Sequence, residues 1–316
     1  MIDNNSKCVR FAPSPSGRMH FGNIYSAILS WLVARKENAK FIIRMEDIDE
    51  RSKNKQYQNL ILDDLSWLGL DWDEEPIIQS ARSSYYEEIF NALSAKTHIY
   101  PCFCKRADLH AASAPHASDG SPIYAGTCKN LSDGVVAEKS KIRQPSYRIE
   151  VPNKEYSFYD EIQGKYSQNL AFECGDFVLK RSDGIFAYQL CAVADDISQG
   201  VTDVVRGADL LSSTPRQIYL YELLGKKHPK YFHHPVLLNE CGKRLSKRDK
   251  SCDMSYLRKN FSPQDLFGWV AFYLGQIDKA QPLTLQELLD LFTLKNVSNK
   301  SAIIADAFLN ATALGV

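Results

Sequence analysis

One run of chain constrains the fold more than any other. Val9 to Asp47 spells a strand, a crowded turn, a helix and a second strand. "VRFAP" (Val9 to Pro13) reads as a strand. After Gly22, the residues Ile24, Ala27, Ile28, Trp31 and Leu32 recur at three- and four-residue spacing, which puts them on one face of a helix. "KFIIRMED" (Lys40 to Asp47) reads as the second strand. Two strands joined by a helix of that length form a crossover, so a parallel βαβ unit and an α/β class are expected. The turn inside the unit carries Pro13, Pro15, Gly17, His20 and Gly22, more turn chemistry than a connector requires.

The rest of the chain keeps the alternation, with one interruption. Helices are expected over about Gln56 to Leu68 and Arg82 to Leu93. From Pro101 to about Gln168 the texture changes to cysteines, glycines, prolines and short β-like pieces such as "SYRIEV", the pattern of an inserted β-rich module. Alternation returns near Phe177, through "IFAYQLCAVADDI", "VTDVVRGADLL", a helix from about Thr214 to Leu224, and "YFHHPVLLN". The last segment reads as helices, with Ser262 as an N-cap and Pro263 at the first helical position.

Composition excludes several classes. A 44% hydrophobic and 24% charged chain of 316 residues suits a globular protein with a large core, as one domain with an insertion or as two domains. Basic and acidic residues balance, 38 against 38, so no global field draws nucleic acid indiscriminately. "GKKHPKYFHH" (Gly225 to His234) and "GKRLSKRDK" (Gly242 to Lys250) are locally basic and leave room for a selective RNA patch. A charge run taken alone is more often a solvated surface. No apolar run approaches the ~20 residues of a membrane span, and "MIDNNSKCVRF" has no signal-peptide core. A cytoplasmic protein is expected, whose eight cysteines stay reduced; clustered ones then read as metal ligands.

Two elements carry chemistry. At "HFG" (His20 to Gly22) a helix begins, and a helix N-terminus is a natural anion site. Gly22 lets a nucleotide approach closely, and His20 can hydrogen-bond a phosphate oxygen as charge builds there. In "GKRLSKRDK", Lys247 can act as a point charge and Ser246 as a donor in a clamp on a triphosphate. Alone, His20 is more often an ordinary turn histidine and the basic loop a charged surface.

Together they resemble a known family. "PSPSGRMHFGN" at the first βαβ and "KRLSK" far downstream are similar to the His-Ile-Gly-His and Lys-Met-Ser-Lys-Ser signatures of class I aminoacyl-tRNA synthetases. "FAPSPSG", "RMEDID" (Arg44 to Asp49), "VVRGADLLSSTPRQIYLYELLG" and "YFHHPVLLNECGKRLSK" narrow the resemblance to the glutamyl-tRNA synthetase branch, from Arg10 to about Arg248. Three features point to a compact subfamily, the glutamyl-Q tRNA(Asp) synthetases. The chain runs only a short way past Arg248, where full-length enzymes carry a large helical anticodon-binding region. "HFGNIYSAIL" has Phe21 for their isoleucine and lacks their Arg-Thr-Ala. "RGADLL" and the Phe-Ala-Tyr of "GIFAYQLCAVADD" stand where they have Arg-Gly-Glu-Glu-His and Pro-Thr-Tyr.

The resemblance implies a Rossmann-type parallel sheet with an inserted zinc-containing β-rich module and a short helical C-terminal region. The corresponding divisions are 1–99 and 176–240 for the two halves of the catalytic domain, 100–175 for the zinc-binding acceptor module, and 241–316 for the ATP-clamp loop and C-terminal helices. It places glutamate on Arg10, Phe11, Ala12, Pro13, Ser14, Glu46, Tyr188 and Arg206, and ATP on His20, Gly22, Ser246 and Lys247, with His20 and Lys247 as the catalytic pair. It makes Cys102, Cys104, Tyr124 and Cys128 a structural Zn²⁺ site, three thiolates and a phenolate. The segment from Lys105 to Ile123 is longer than usual in the subfamily, and its His110 and His116 compete with Tyr124 as ligands. In the clamp, Arg244, Leu245 and Arg248 replace the first lysine, the methionine and the last serine of the family pattern.

The expected activity is formation of glutamyl-adenylate from L-glutamate and ATP-Mg²⁺ without tRNA, then transfer of glutamate to queuosine in the anticodon of tRNA(Asp), by a monomer that binds no membrane. Two other readings stay open. A compact glutamyl-tRNA synthetase would charge the tRNA 3′ end; the short C-terminal part speaks against it. A non-catalytic zinc-containing RNA-binding protein would have no use for His20, Gly22 and Lys247 together.

Overall fold

A computed structural model of the chain describes residues 7–105, 108, 123–239, 242, 252–304 and 308. Its strands are β1 (Cys8–Phe11), β2 (Lys40–Met45), β3 (Ile77–Ile78), β4 (Ile99–Cys102), β5 (Ser146–Ile149), β6 (Glu155–Asp160), β7 (Gly164–Asn169), β8 (Phe177–Lys180), β9 (Asp203–Gly207), β10 (Lys230–His234), β11 (Leu237–Leu238) and β12 (Ala302–Ile303). The main helices are α1 (Phe21–Lys36), α2 (Lys55–Trp67), α3 (Ser83–Ser94), α4 (Asp133–Ile142), α5 (Leu170–Glu173), α6 (Tyr188–Ser198), α7 (Thr214–Leu224), α8 (Met254–Asn260), α9 (Pro263–Tyr273) and α10 (Leu285–Leu291).

The expected βαβ unit is present: β1 and β2 pair in parallel, Val9 opposite Phe41, with α1 as the crossover. The full sheet has the order β3-β2-β1-β9-β10-β6-β7. It is parallel from β3 to β6, and β7 closes the edge as the antiparallel partner of β6. From β1 the chain steps outward through β2 and β3 on one side, and later through β9 and β10 on the other. The strand order therefore reverses between β1 and β9, where Val9 lies opposite Asp203. In open α/β sheets a crevice forms at such a switch point, outside the carboxyl ends of the strands.

Both faces of the sheet are covered. In β2, Phe41, Ile43 and Met45 pack into the layer of α1, α2 and the C-terminal helices, while Ile42 packs with α3, α6 and α7. A strand buried on both faces reads as a continuous apolar run, as "FII" does. α1 departs from the expected single apolar face: Phe21, Tyr25, Leu29 and Val33 are buried along with Ile24 and Ile28. The reason lies far along the chain. α9 and α10 belong to the same core, α10 contacts α1, and the Phe21 ring meets Phe308 at 4.3 Å and Tyr273 at 6.0 Å between centroids.

Strand pairing does not follow the expected edges of the inserted module. β4, β5 and β8 form a separate antiparallel sheet, and β8 lies beyond residue 175. β6 and β7 lie inside 100–175, yet they extend the main sheet. At the C-terminal end Ser262 caps α9, its hydroxyl accepting from the Asp265 N–H at 3.2 Å. Among the described residues no helix is long and apolar enough to cross a membrane.

Candidate active site

At the switch point the expected residues meet. Arg10, Phe11, Ala12, Pro13 and Ser14 leave the end of β1, Glu46 leaves the end of β2, and Arg206 lies near the end of β9. Tyr188 opens α6, and His20 and Gly22 flank the start of α1. All ten line one cavity of about 270 Å³. The turn is tied to the second strand, with Glu46 N–H donating to Pro13 O at 2.9 Å and Ser14 Oγ donating to Glu46 O at 3.0 Å. Ser246 and Lys247 lie outside the described residues, as do His110 and His116.

The cavity floor is a buried charge network. Arg10 donates from Nη1 to Val205 O at 2.9 Å and holds Nε 3.6 Å from Asp196. Arg44, fully buried, donates to Asp196 at 2.6 Å and to Gln199 at 3.1 Å, and reaches Glu46 at 3.3 Å. Asp196 thus serves two guanidinium groups, one of which also anchors Glu46. Burial pushes the Glu46 carboxyl up, against the pull of Arg44 and Arg10. Burial also works against the charge on Arg44, but Asp196, Glu46 and Asp195 more than offset it and raise its pKa. Burial draws Arg10 down, with Asp196 opposing. A buried ion set of this kind needs every partner.

Arg206 sits opposite, 6% exposed. It donates from Nε to His233 Nε2 at 2.9 Å, from Nη2 to Thr214 Oγ1 at 2.8 Å, and from Nη1 to Tyr188 OH at 3.3 Å. The α1 end of the cavity is built differently. His20 occupies the N-cap position, the first turn of α1 carries no acidic residue, and Asn23 Oδ1 accepts from His20 N–H at 3.0 Å. A Cβ at Gly22 would come within 3.0 Å of the His20 ring, so the glycine is what lets the imidazole lie over the helix start. Ser26, one turn further on, contacts His234 Nε2 at 2.7 Å on the cavity wall.

A second cluster lies at the small sheet. The sulfurs of Cys102, Cys104 and Cys128 all fall within 4.8 Å of one another. Tyr124 OH is 3.5 Å from the Cys102 sulfur and 3.8 Å from that of Cys104, and it accepts from the Cys128 N–H at 2.7 Å. Burial resists ionisation of Cys102, but hydrogen bonds from Tyr124, the Cys104 backbone and Arg148 bring its pKa below the ordinary thiol value. Burial pushes Cys104 up to about 11, with the neighbouring Cys102 adding to the shift.

The family described as tRNA synthetases class I (E and Q), catalytic domain, matches residues 8–311. A protein of Nitratidesulfovibrio vulgaris named glutamyl-Q tRNA(Asp) synthetase is 42% identical over 295 residues, covering 90% of this chain and 91% of that one. A Symbiobacterium thermophilum protein of the same name is 41% identical over 305 residues, covering 92% and 93%. The chain belongs to the glutamyl-Q tRNA(Asp) synthetase family. As a member of this class I family, it is an ATP-dependent ligase. Its fold matches the crystal structure of a glutamate tRNA ligase from Elizabethkingia meningosepticum in complex with its amino acid. The TM-score is 0.81 at 25% identity, over 96% of this chain and 68% of that one.

In this synthetase several residues around the site had no role assigned from the sequence. Arg44 and Asp196 lie inside "RMEDID" and "GIFAYQLCAVADD", but only as charges within otherwise apolar segments. Charge in a stretch that must be buried on both faces signals a paired network, but not its partner. Asp160 and His233 gave no such signal, because they meet only across β6 and β10.

Proposed function

We propose that the cavity binds L-glutamate beside the α-phosphate of ATP and forms glutamyl-adenylate. The observation that carries this reading is the convergence of Arg10, Glu46, Tyr188 and Arg206 with His20 and Gly22 in one cavity. Arginine forks suit the two carboxylates of glutamate, and Glu46 suits its ammonium. One α-carboxylate oxygen attacks the α-phosphorus, the P–O bond to the β-phosphate breaks, and pyrophosphate leaves. Mg²⁺ accompanying ATP neutralises charge on the leaving group. His20, at a helix start with no acidic residue in its first turn, donates to the α-phosphate as charge builds there. Most of the acceleration comes from positioning and charge, not from proton transfer.

Lys247 is the distal clamp in this reading. Asp253 forms an antiparallel bridge with His20, and Met254 N–H donates to Met19 O at 2.9 Å. Lys247→Ala is expected to slow adenylate formation by about 10²-fold or more while glutamate binding changes little. Glutamate-dependent pyrophosphate exchange in that variant measures it, and a near-normal rate would remove Lys247 from the site.

The acceptor is proposed to be queuosine in tRNA(Asp), following the names of the related proteins. A cyclopentene hydroxyl of the base attacks the glutamyl carbonyl, the new ester forms, and AMP leaves. With tRNA as substrate, the place of action is the cytoplasm. Radiolabelled glutamate offered with tRNA(Asp), with and without queuosine, tests this. Label only on queuosine-bearing tRNA, retained when the 3′-terminal adenosine is cleaved off, supports the reading. Label on both, lost with the 3′-terminal adenosine, identifies a 3′-charging enzyme.

Cys102, Cys104, Cys128 and Tyr124 are proposed to hold one structural Zn²⁺. Zinc–sulfur bonds of ~2.3 Å in a tetrahedron set sulfurs ~3.8 Å apart. Cys104 and Cys128 stand at 3.7 Å. Among the described residues the buried apolar cluster here is Tyr100, Cys102, Tyr124 and Cys128, with Phe103, Cys104 and Leu131 packed against it, too small to hold a module by itself. Metal binding there would be folding free energy. Chelation, or Cys128→Ser, is expected to release one equivalent of zinc and expose the amides of β4 and β5 to exchange, leaving β1 and β2 protected. Unchanged zinc content after Cys128→Ser would sink the assignment.

A further inference from the structure

We propose that Asp160 and His233 are a positioning pair for Arg206: Asp160 fixes His233 as its Nδ1–H tautomer, and the free Nε2 lone pair orients the arginine. The consequence for glutamate rests on the function proposed above; the pair itself does not.

Hydrogen-bond chemistry allows one arrangement. A guanidinium only donates, so His233 Nε2, 2.9 Å from Arg206 Nε, must accept. The ring proton is then on Nδ1, which lies 2.6 Å from Asp160 Oδ2. Asp160 is fully buried and collects further donors: His233 N–H at 3.1 Å, Ile162 N–H at 3.0 Å and Gln163 N–H at 2.8 Å. Burial opposes its charge, but the hydrogen bonds from His233, Gln163 and Ile162 overcome this and hold its pKa below the ordinary value. Burial also draws His233 down to about 4, with Arg206 adding to it, so the ring is neutral. The other tautomer would set N–H against N–H at Arg206 and leave the carboxylate without its ring donor.

The fold delivers these groups from separate places. β6 pairs with β10 at one position only, Tyr231 opposite Asp160, and that pairing brings the carboxylate beside His233. Thr214 and Tyr188 hold the two outer nitrogens of Arg206, so three groups fix the guanidinium plane. Neither Asp160 nor His233 lines the cavity; both act through Arg206.

Asp160→Asn separates the pair from a general structural role. The amide must turn its oxygen toward the backbone N–H groups of Ile162 and Gln163, which cannot rearrange. Its NH₂ then meets His233 Nδ1 and forces the proton to Nε2, against Arg206. Long-range ¹H–¹⁵N spectra of the whole protein should show an Nδ1–H tautomer for His233 in the native chain and Nε2–H in the variant. The glutamate concentration for half-maximal pyrophosphate exchange should rise tenfold or more, with that for ATP unchanged. Adding Asp160→Asn to Arg206→Ala should bring no further rise. An Nε2–H tautomer in the native protein overturns the proposal and needs no variant to read. An unchanged glutamate requirement, or an equal further loss in the Arg206→Ala background, also overturns it. Absence of any glutamate-dependent exchange in the native protein would instead refute the proposed function, leaving the tautomer measurement intact.

Discussion

Replacing Arg206 with alanine is expected to raise the glutamate requirement of adenylate formation by about 10²–10³-fold, because truncating one member of a buried, hydrogen-bonded charge pair costs about 2–5 kcal/mol. The native arginine is 6% exposed and already fixed at three of its nitrogens, so its fork is presented without further ordering. Lysine is no substitute, since it offers a point charge where a planar pair of donors is required. The helix start at His20 and Gly22 is untouched by the change, so the ATP requirement should stay close to native. Pyrophosphate exchange measured against each substrate in turn separates the two. A parallel loss for ATP would mean that Arg206 supports the cavity as a whole and does not grip the amino acid.

Arg44→Met should produce the largest loss of stability of any single change near the site. Arg44 is fully buried and holds Asp196 at 2.6 Å, Glu46 at 3.3 Å and Asp195 at 3.9 Å. Methionine fills much of the volume but leaves these carboxylates short of a cation. Breaking a buried ion set in this way costs about 3–5 kcal/mol, a large part of the 5–15 kcal/mol that holds an ordinary domain. The urea midpoint should fall with the slope of the transition unchanged. Lys40→Ala is the control. Lys40 pairs with Glu74 at 2.7 Å, both half exposed, and its loss should leave the midpoint where it is. Equal midpoints for native protein and Arg44→Met would show that the carboxylates find other partners or take up protons.

Local features of the fold were legible. The helix from Thr214 to Leu224 and the cap at Ser262 stand where turn chemistry and periodicity put them. The parallel pairing of β1 with β2 followed from the length of their connection. α1 was read as one-faced because its other sides are covered by residues more than two hundred positions later, which no window of sequence contains. The small sheet has a strand outside 100–175 for a related reason: β8 has the apolar pattern of any strand, and only its pairing with β5 assigns it there.

The cavity divides the same way. The sequence by itself determined the ends of the strands that enter it, the histidine and glycine at the helix start, and the residue types that suit a carboxylate and a phosphate, because these depend on neighbours a few positions apart. The resemblance already put Arg10 and Arg206 on one ligand; the tertiary structure supplies the physical reason, β1 lying next to β9 so that both line the same space. It also decided that Asp196 serves two arginines and that Asp160 reaches His233. Parallel pairing is non-local: which strands become neighbours is set by burying both faces of the whole sheet at once, and a buried charge is tolerated only where that packing brings it a partner.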